Sequence, residues 1–203
     1  MSTGMLLVLL GPVAAQPAGL FGYRETRQTD LQAFPQWLSA LERHLRDDLR
    51  EGDCSERQMN RCHLRQWLTF LGTIRSLPKS TQLREINRYA NEKDYVLDLE
   101  QYGQEDYWAI PRQFLGAGGD CEDFAITKYF SLTWLGHARE DMRIVVVQDT
   151  NLRVPHAVLA LWQGGEPLIL DNQVREVLSD ENVVHYAPVY SVNESSWWIH
   201  TPR

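Results

Sequence analysis

No run of lysines and arginines occurs anywhere in the 203-residue chain, whose 20 basic against 27 acidic residues give a net charge of -7. Nucleic acids and anionic membranes demand concentrated positive charge, so the expected partners are proteins or small molecules. An uninterrupted apolar run of about 20 residues, the length a membrane-spanning helix needs, is also missing. The nearest approach, MLLVLLGPVAAQ, is broken by Gly11 and Pro12. It lies in residues 1–23, which carry no charged side chain, and small residues at Val13 and Ala15 suit signal-peptidase cleavage. Residues 1–15 therefore read as an export signal without a basic flank, or as an apolar tail. Internal repeats, low-complexity segments and linkers are absent too, and 43% apolar residues suffice for one buried core. Residues 16–203 are expected to form a single domain.

Cysteine is scarce: Cys54, Cys62 and Cys121. In an oxidising compartment Cys54 and Cys62 could pair. On one continuous helix they would stand about 12 Å apart, too far to bond, so the pairing requires a break near EGDC. Zinc held by Cys54, Cys62 and His63 lacks a second ligand pair, and no EF-hand loop or HEXXH pattern is present to support a catalytic zinc.

The elements present divide the chain in two. Leu31, Phe34, Trp37, Leu38, Leu41 and Leu45 recur at helical spacing, with Pro35 suited to a first turn. Leu64, Trp67, Leu68, Leu71 and Ile74 repeat the pattern, and a third helix is expected from near Thr81. A helical lobe is thus predicted over about 24–90. The segment EKDYVLDLEQYGQEDYWAIPRQFLGAGG keeps no period and reads as a long structured loop. Ala125, Tyr129, Leu132 and Leu135 then mark one stripe of a helix stopped by Gly136. RIVVVQ, PHAVLALW, PLILD, APVYSVN and WWIH follow as strands. Helices first and an antiparallel sheet afterwards make an α+β fold, with the last helix and the sheet over about 91–203.

Cys121 would begin that helix, where unpaired N–H groups and the helix dipole favour a thiolate. The alternative is a buried structural thiol with Asp120 as N-cap and Asp123 as a first-turn acid. A nucleophilic thiol needs a base and an orienter for it. If PHAVLALW and PLILD form a hairpin closed by a four-residue loop, Trp162 to Gly165, His156 faces Asp171 with Cβ atoms about 5 Å apart. His44, His63, His137, His185 and His200 have no such carboxylate partner in this reading. Asp120, Glu122 and Asp123 would oppose thiolate formation. A hard divalent cation bound by oxygens, with Ca²⁺ the natural one for an exported protein, would neutralise them; solvated helix-cap carboxylates are the alternative. Trp108 could line the oxyanion side of a groove or belong to the core.

The blocks DYWAIPRQFLGAGGDCEDFAITKYFSL, HAVLAL, LILDNQ and PVYSVNESSWW resemble the bacterial transglutaminase-like cysteine proteinase family from about residue 20 to the end. The resemblance implies a papain-like, transglutaminase-type core preceded by a helical lobe. It also implies Cys121 as nucleophile, His156 as general base, Asp171 as its orienter, and Ca²⁺ on Asp120 and Glu122, with Asp123 beside them. For such periplasmic proteases it further implies a large surface adhesin as substrate, release of cells from a biofilm, and sequestration by an inner-membrane cyclic di-GMP receptor. Two other functions fit the same residues: acyl transfer to an amine, as transglutaminases perform, and a non-catalytic binding module.

Overall fold

Seven antiparallel strands form one sheet in the order β1-β7-β6-β2-β3-β4-β5. They are β1 (Arg24–Gln28), β2 (Met142–Asp149), β3 (Val154–Gln163), β4 (Glu166–Leu170), β5 (Leu178–Ser179), β6 (Tyr186–Val192) and β7 (Trp197–Thr201). Among the described residues six α-helices precede β2: α1 (Pro35–Arg46), α2 (His63–Ile74), α3 (Lys79–Asn91), α4 (Asp98–Tyr102), α5 (Pro111–Ala117) and α6 (Cys121–Trp134). The computed structural model describes residues 19–51 and 62–203. The expected signal segment 1–15 and Cys54 lie outside the described residues, while Cys62 is disulfide-bonded. Among the described residues no helix is long and apolar enough to cross a membrane.

The α+β arrangement follows the sequence pattern, with three departures. RETRQ, read as part of a helical lobe, is strand β1, paired with β7 from Arg24 opposite Thr201 to Gln28 opposite Trp197. It lies at the edge of the sheet and is largely exposed. Polar residues are tolerated there, so no apolar alternation announces the strand. The segment read as one long loop contains α4 and α5, each too short for a hydrophobic period to register. Finally, α6 is not a one-stripe helix: Asp123 through Leu132 are all buried. Its surroundings explain this, because Trp67 on α2 donates to Ser131 Oγ at 2.9 Å, His44 on α1 stacks on Phe130, and α3, α5, β2 and β3 pack on it as well. A helix enclosed on every side can be apolar all round.

Two hydrophobic clusters share the sheet. Leu159 and Leu161 of β3 join α6, Trp37, Trp67 and Phe114, whereas Val158 and Ala160 join Leu20, Val145, Val147 and Tyr186. That division is the two-residue alternation of a strand covered on both faces.

The β3–β4 hairpin fixes the register at the site. Gln163 pairs with Glu166, so Gly164 and Gly165 alone form the turn. Their φ values of 65° and 92° suit the two-residue turn that right-twisted strands prefer and that side chains resist. The expected four-residue loop is therefore replaced by a two-residue one. Pairing stops at Leu159 opposite Leu170, and β3 runs on toward His156 with no β4 residue paired to it.

Candidate active site

Cys121 opens α6, as its sequence context suggested. The chain enters the helix through Gly119, whose added Cβ would lie 2.1 Å from Asp123 Oδ2. Only glycine admits so close an approach of backbone to carboxylate. The thiol donates to Glu122 Oε2 at 3.2 Å. Burial, followed by the charge of Glu122, pushes the thiol pKa up, while a hydrogen bond from the backbone N–H of Ala157 opposes that rise. This amide follows His156 directly, so the sulfur sits beside the stretch of β3 that β4 leaves unpaired.

His156 and Asp171 are both buried, and the imidazole Nε2 lies 2.9 Å from Asp171 Oδ1. The expected contact is made by a different register. With a two-glycine turn, extrapolating the ladder puts Asp171 opposite Val158, diagonal to His156. A shift of two residues preserves the face and leaves diagonal neighbours within reach of a long side chain. Use of Nε2 on the carboxylate leaves Nδ1 as the nitrogen available to the thiol.

Asp171 has further partners that sequence reasoning did not find. Its Oδ1 also accepts from the Gln173 N–H at 2.9 Å, and Tyr186 Oη donates to Oδ2 at 2.6 Å. Burial alone would raise the carboxyl pKa, but the bond and charge of His156, assisted by Tyr186 and the Gln173 amide, hold it below the usual carboxylate range. Burial and the bond to Asp171 keep the Tyr186 phenol protonated. Tyr186→Phe is expected to strand a buried carboxylate oxygen and to lower the unfolding free energy by about 1–3 kcal/mol, measured by denaturant titration. An unchanged midpoint would show that the bond is dispensable.

Beside the thiol lies an acidic cluster larger than the sequence suggested. Asp98, Asp120 and Asp123 present oxygens within 4.8 Å of one another, as do Asp98, Asp106 and Glu122. Asp98 and Asp106 belong to the aperiodic segment, in α4 and the turn after it, and only the acids in DLEQYGQED hinted at them. Asp120 makes no capping bond, which removes the helix-cap alternative for it. Asp123 accepts from the Ala109 N–H at 2.6 Å through Oδ1. Asp98 Oδ1, Asp120 Oδ1 and Asp123 Oδ2 are buried without a hydrogen-bond partner.

Burial is the chief cause that pushes the Asp98 carboxyl up to about 6 and Asp123 to about 8. Asp120 and Glu122 are raised as well, by burial in both cases, and in Glu122 next by the neighbouring charge of Asp120. Unpartnered carboxylate oxygens converging at this spacing suit a hard divalent cation, whose oxygen ligands stand 2.3–2.6 Å from the metal.

Trp108 is a core residue, 5% exposed, whose indole N–H donates to Asp106 Oδ1 at 2.9 Å. Its carbonyl accepts from Arg43. The remaining histidines outside the site are engaged in packing or local bonds; His137 meets Gln82 at 2.9 Å and His200 meets Ser191 at 3.0 Å.

Comparison with known proteins gives one consistent answer. Solved structures of Legionella pneumophila LapG superimpose with a TM-score of 0.63 at 31% identity, over 81% of this chain and 84% of LapG. Its calcium-bound form gives 0.64 at 30% identity, over 81% and 85%, and its EGTA-treated form 0.63 at 31%, over 81% and 82%. No curated protein sequence matches. The bacterial transglutaminase-like cysteine proteinase family matches residues 52–201, which is most of the chain, and the protein belongs to that family.

Proposed function

We propose that this protein is a calcium-dependent cysteine endopeptidase of the periplasm, acting on a large adhesin-like surface protein and thereby controlling attachment. The observation that carries the reading is a buried His156–Asp171 hydrogen bond beside the thiol that opens a buried helix. Such an arrangement supplies a nucleophile, a base and an orienter, and for proton transfer the thiol would turn from Glu122, to which it donates, toward His156.

In this mechanism His156 Nδ1 takes the Cys121 proton, and the sulfur attacks the scissile carbonyl carbon. The Cys121 backbone N–H, which has no intrahelical acceptor at the first helical position, helps hold the developing oxyanion. His156 then donates the proton to the leaving amine as the C–N bond breaks and a thioester remains. Water, deprotonated by His156, releases the carboxylic acid and regenerates the thiol. Asp171 stays ionised and stabilises the imidazolium throughout.

Asp98, Asp120, Glu122 and Asp123, with Asp106 at the rim, would hold the cation. When bound, Ca²⁺ supplies positive charge that cancels the carboxylate repulsion opposing the thiolate. Support for calcium comes from the buried unpartnered oxygens of this chain and from the calcium-bound LapG structure. An inner-membrane cyclic di-GMP receptor is the proposed regulator.

Comparison of the proteins released from the surface of strains carrying wild-type or Cys121→Ala enzyme tests the substrate. A large fragment released only by the wild type is expected. Identical released proteins would sink the adhesin assignment.

A further inference from the structure

The ladder that carries His156 stops short of its acid. Leu170 is the last β4 residue paired to β3, and β5 reaches only Leu168 and Ile169. Residues 171–177 belong to no strand or helix. A carboxylate carried on such a segment needs another restraint, because loops without one open at little cost in free energy.

That restraint comes from α3. Asn91 Nδ2 donates to the Asp171 carbonyl at 2.7 Å and to the Val174 carbonyl at 3.2 Å. Asn87 Nδ2 donates to the carbonyls of Val174 and Arg175, each at 3.0 Å. The two asparagines are four residues apart and share one face of the helix. All these partners are carbonyls, which only accept, so the amide nitrogen and not the amide oxygen must face the loop. Asparagine is a poor helix-interior residue, and Asn87 is fully buried. Its bonds to the loop offset both costs.

The mount is itself fixed. Leu83, Ile86 and Ala90 of α3 join Phe124, Ile126 and Tyr129 of α6 in one core cluster. One helix therefore ties the element that begins at Cys121 to the loop that begins at Asp171. Tyr186 and the Gln173 amide grip the carboxylate; Asn91 grips the main chain that carries it.

We propose that Asn91 is a positioning residue acting through Asp171: by pinning that residue's carbonyl it sets where the carboxylate meets His156 Nε2, while Asn87 anchors the rest of the loop. This rests on the catalytic assignment above.

The His156 Nε2 proton, buried and bonded to Asp171, is expected as a downfield resonance of protein labelled with ¹⁵N-histidine, assigned by its absence from His156→Gln. Asn91→Ala should fold, since α3 ends at this residue and its core contacts lie earlier. In that variant the resonance is expected to move upfield and broaden through exchange with water. In Asn87→Ala, which loses as many bonds but none to Asp171, it should stay in place. An unmoved resonance in folded Asn91→Ala would overturn the proposal, and equal loss in Asn87→Ala would overturn the specific role of Asn91. Should Asn91→Ala fail to fold, Asn91→Asp keeps the shape without a donor, and the same outcomes apply.

Turnover gives a second reading. With p-nitrophenyl acetate, an activated ester small enough to need no specificity pocket, the rate at saturating Ca²⁺ is expected to fall about 10-fold to 100-fold in Asn91→Ala. A wild-type rate there would also overturn the proposal. Failure of the nucleophile assignment would appear separately, as undiminished ester hydrolysis by Cys121→Ala, and the NMR comparison, which needs no turnover, would still decide the role of Asn91.

Discussion

Cys121→Ala is expected to abolish peptide cleavage, with kcat falling by about 10⁴-fold to 10⁶-fold. The size of the loss follows from the chemistry, because no thioester can form and His156 and Asp171 have no proton relay left to serve. The fold should survive. Among the described residues the Cys121 side chain hydrogen-bonds to Glu122 and to the Ala157 amide, and the helix start is held by Gly119 and by Asp123 against Ala109. A melting temperature near that of the wild type, together with loss of the surface-protein fragment that the wild type releases, would support the assignment. Cleavage at a tenth of the wild-type rate or more would refute it.

Removal of calcium is expected to destabilise the enzyme, and to do so more as pH rises. The carboxyls of Asp98 and Asp123 titrate near 6 and 8 in the cation-free fold, whereas unfolded aspartates titrate near 4. Between those values the native state holds more protons than the unfolded chain, so the slope of stability with pH is negative. Cation-free protein should accordingly be most stable at about pH 4 and lose stability progressively to about pH 8.5.

Calcium at about 100 times its dissociation constant should add about 2.7 kcal/mol, or about 5–10 °C in melting temperature for a chain of this size. It should also flatten the pH slope, because bound carboxylates are ionised in both limits. Thermal melts in EGTA and in calcium across this pH range make the comparison. The same cation should speed alkylation of Cys121 by iodoacetamide at pH 8, since the acids that now raise its pKa would be neutralised. An EGTA series flat in pH and insensitive to added calcium would remove calcium from the proposed function.

The sequence made different parts of this site legible to different degrees. Helix starts and strand runs carry strong local signals, so α1 with Pro35 in its first turn, α6 beginning at Cys121, and β2, β3, β4, β6 and β7 were all foreseeable. The His156–Asp171 contact was predicted through a wrong loop length. It survived because an error of two residues leaves side chains on the same face, whereas an error of one would have separated them. Asp98, Asp106 and Tyr186 were not legible: they reach the site from a short helix, a turn and a non-adjacent strand, and nothing local to them marks the destination. Asn91 was hidden for a different reason. It closes a helix that was expected from near Thr81, and a polar side chain at a helix end gives no sign that it holds a loop 80 residues away.

Strand β1 has a consequence for the order in which the protein can be assembled. Its partner β7 lies almost the whole chain away, with Arg24 opposite Thr201. During synthesis β1 emerges with no strand to join, and closing so long a loop carries a large entropic cost. The edge must remain open until the last strand arrives. The site itself does not wait on this step, because β2, β3, β4 and α6, which carry its residues, pair and pack without β1.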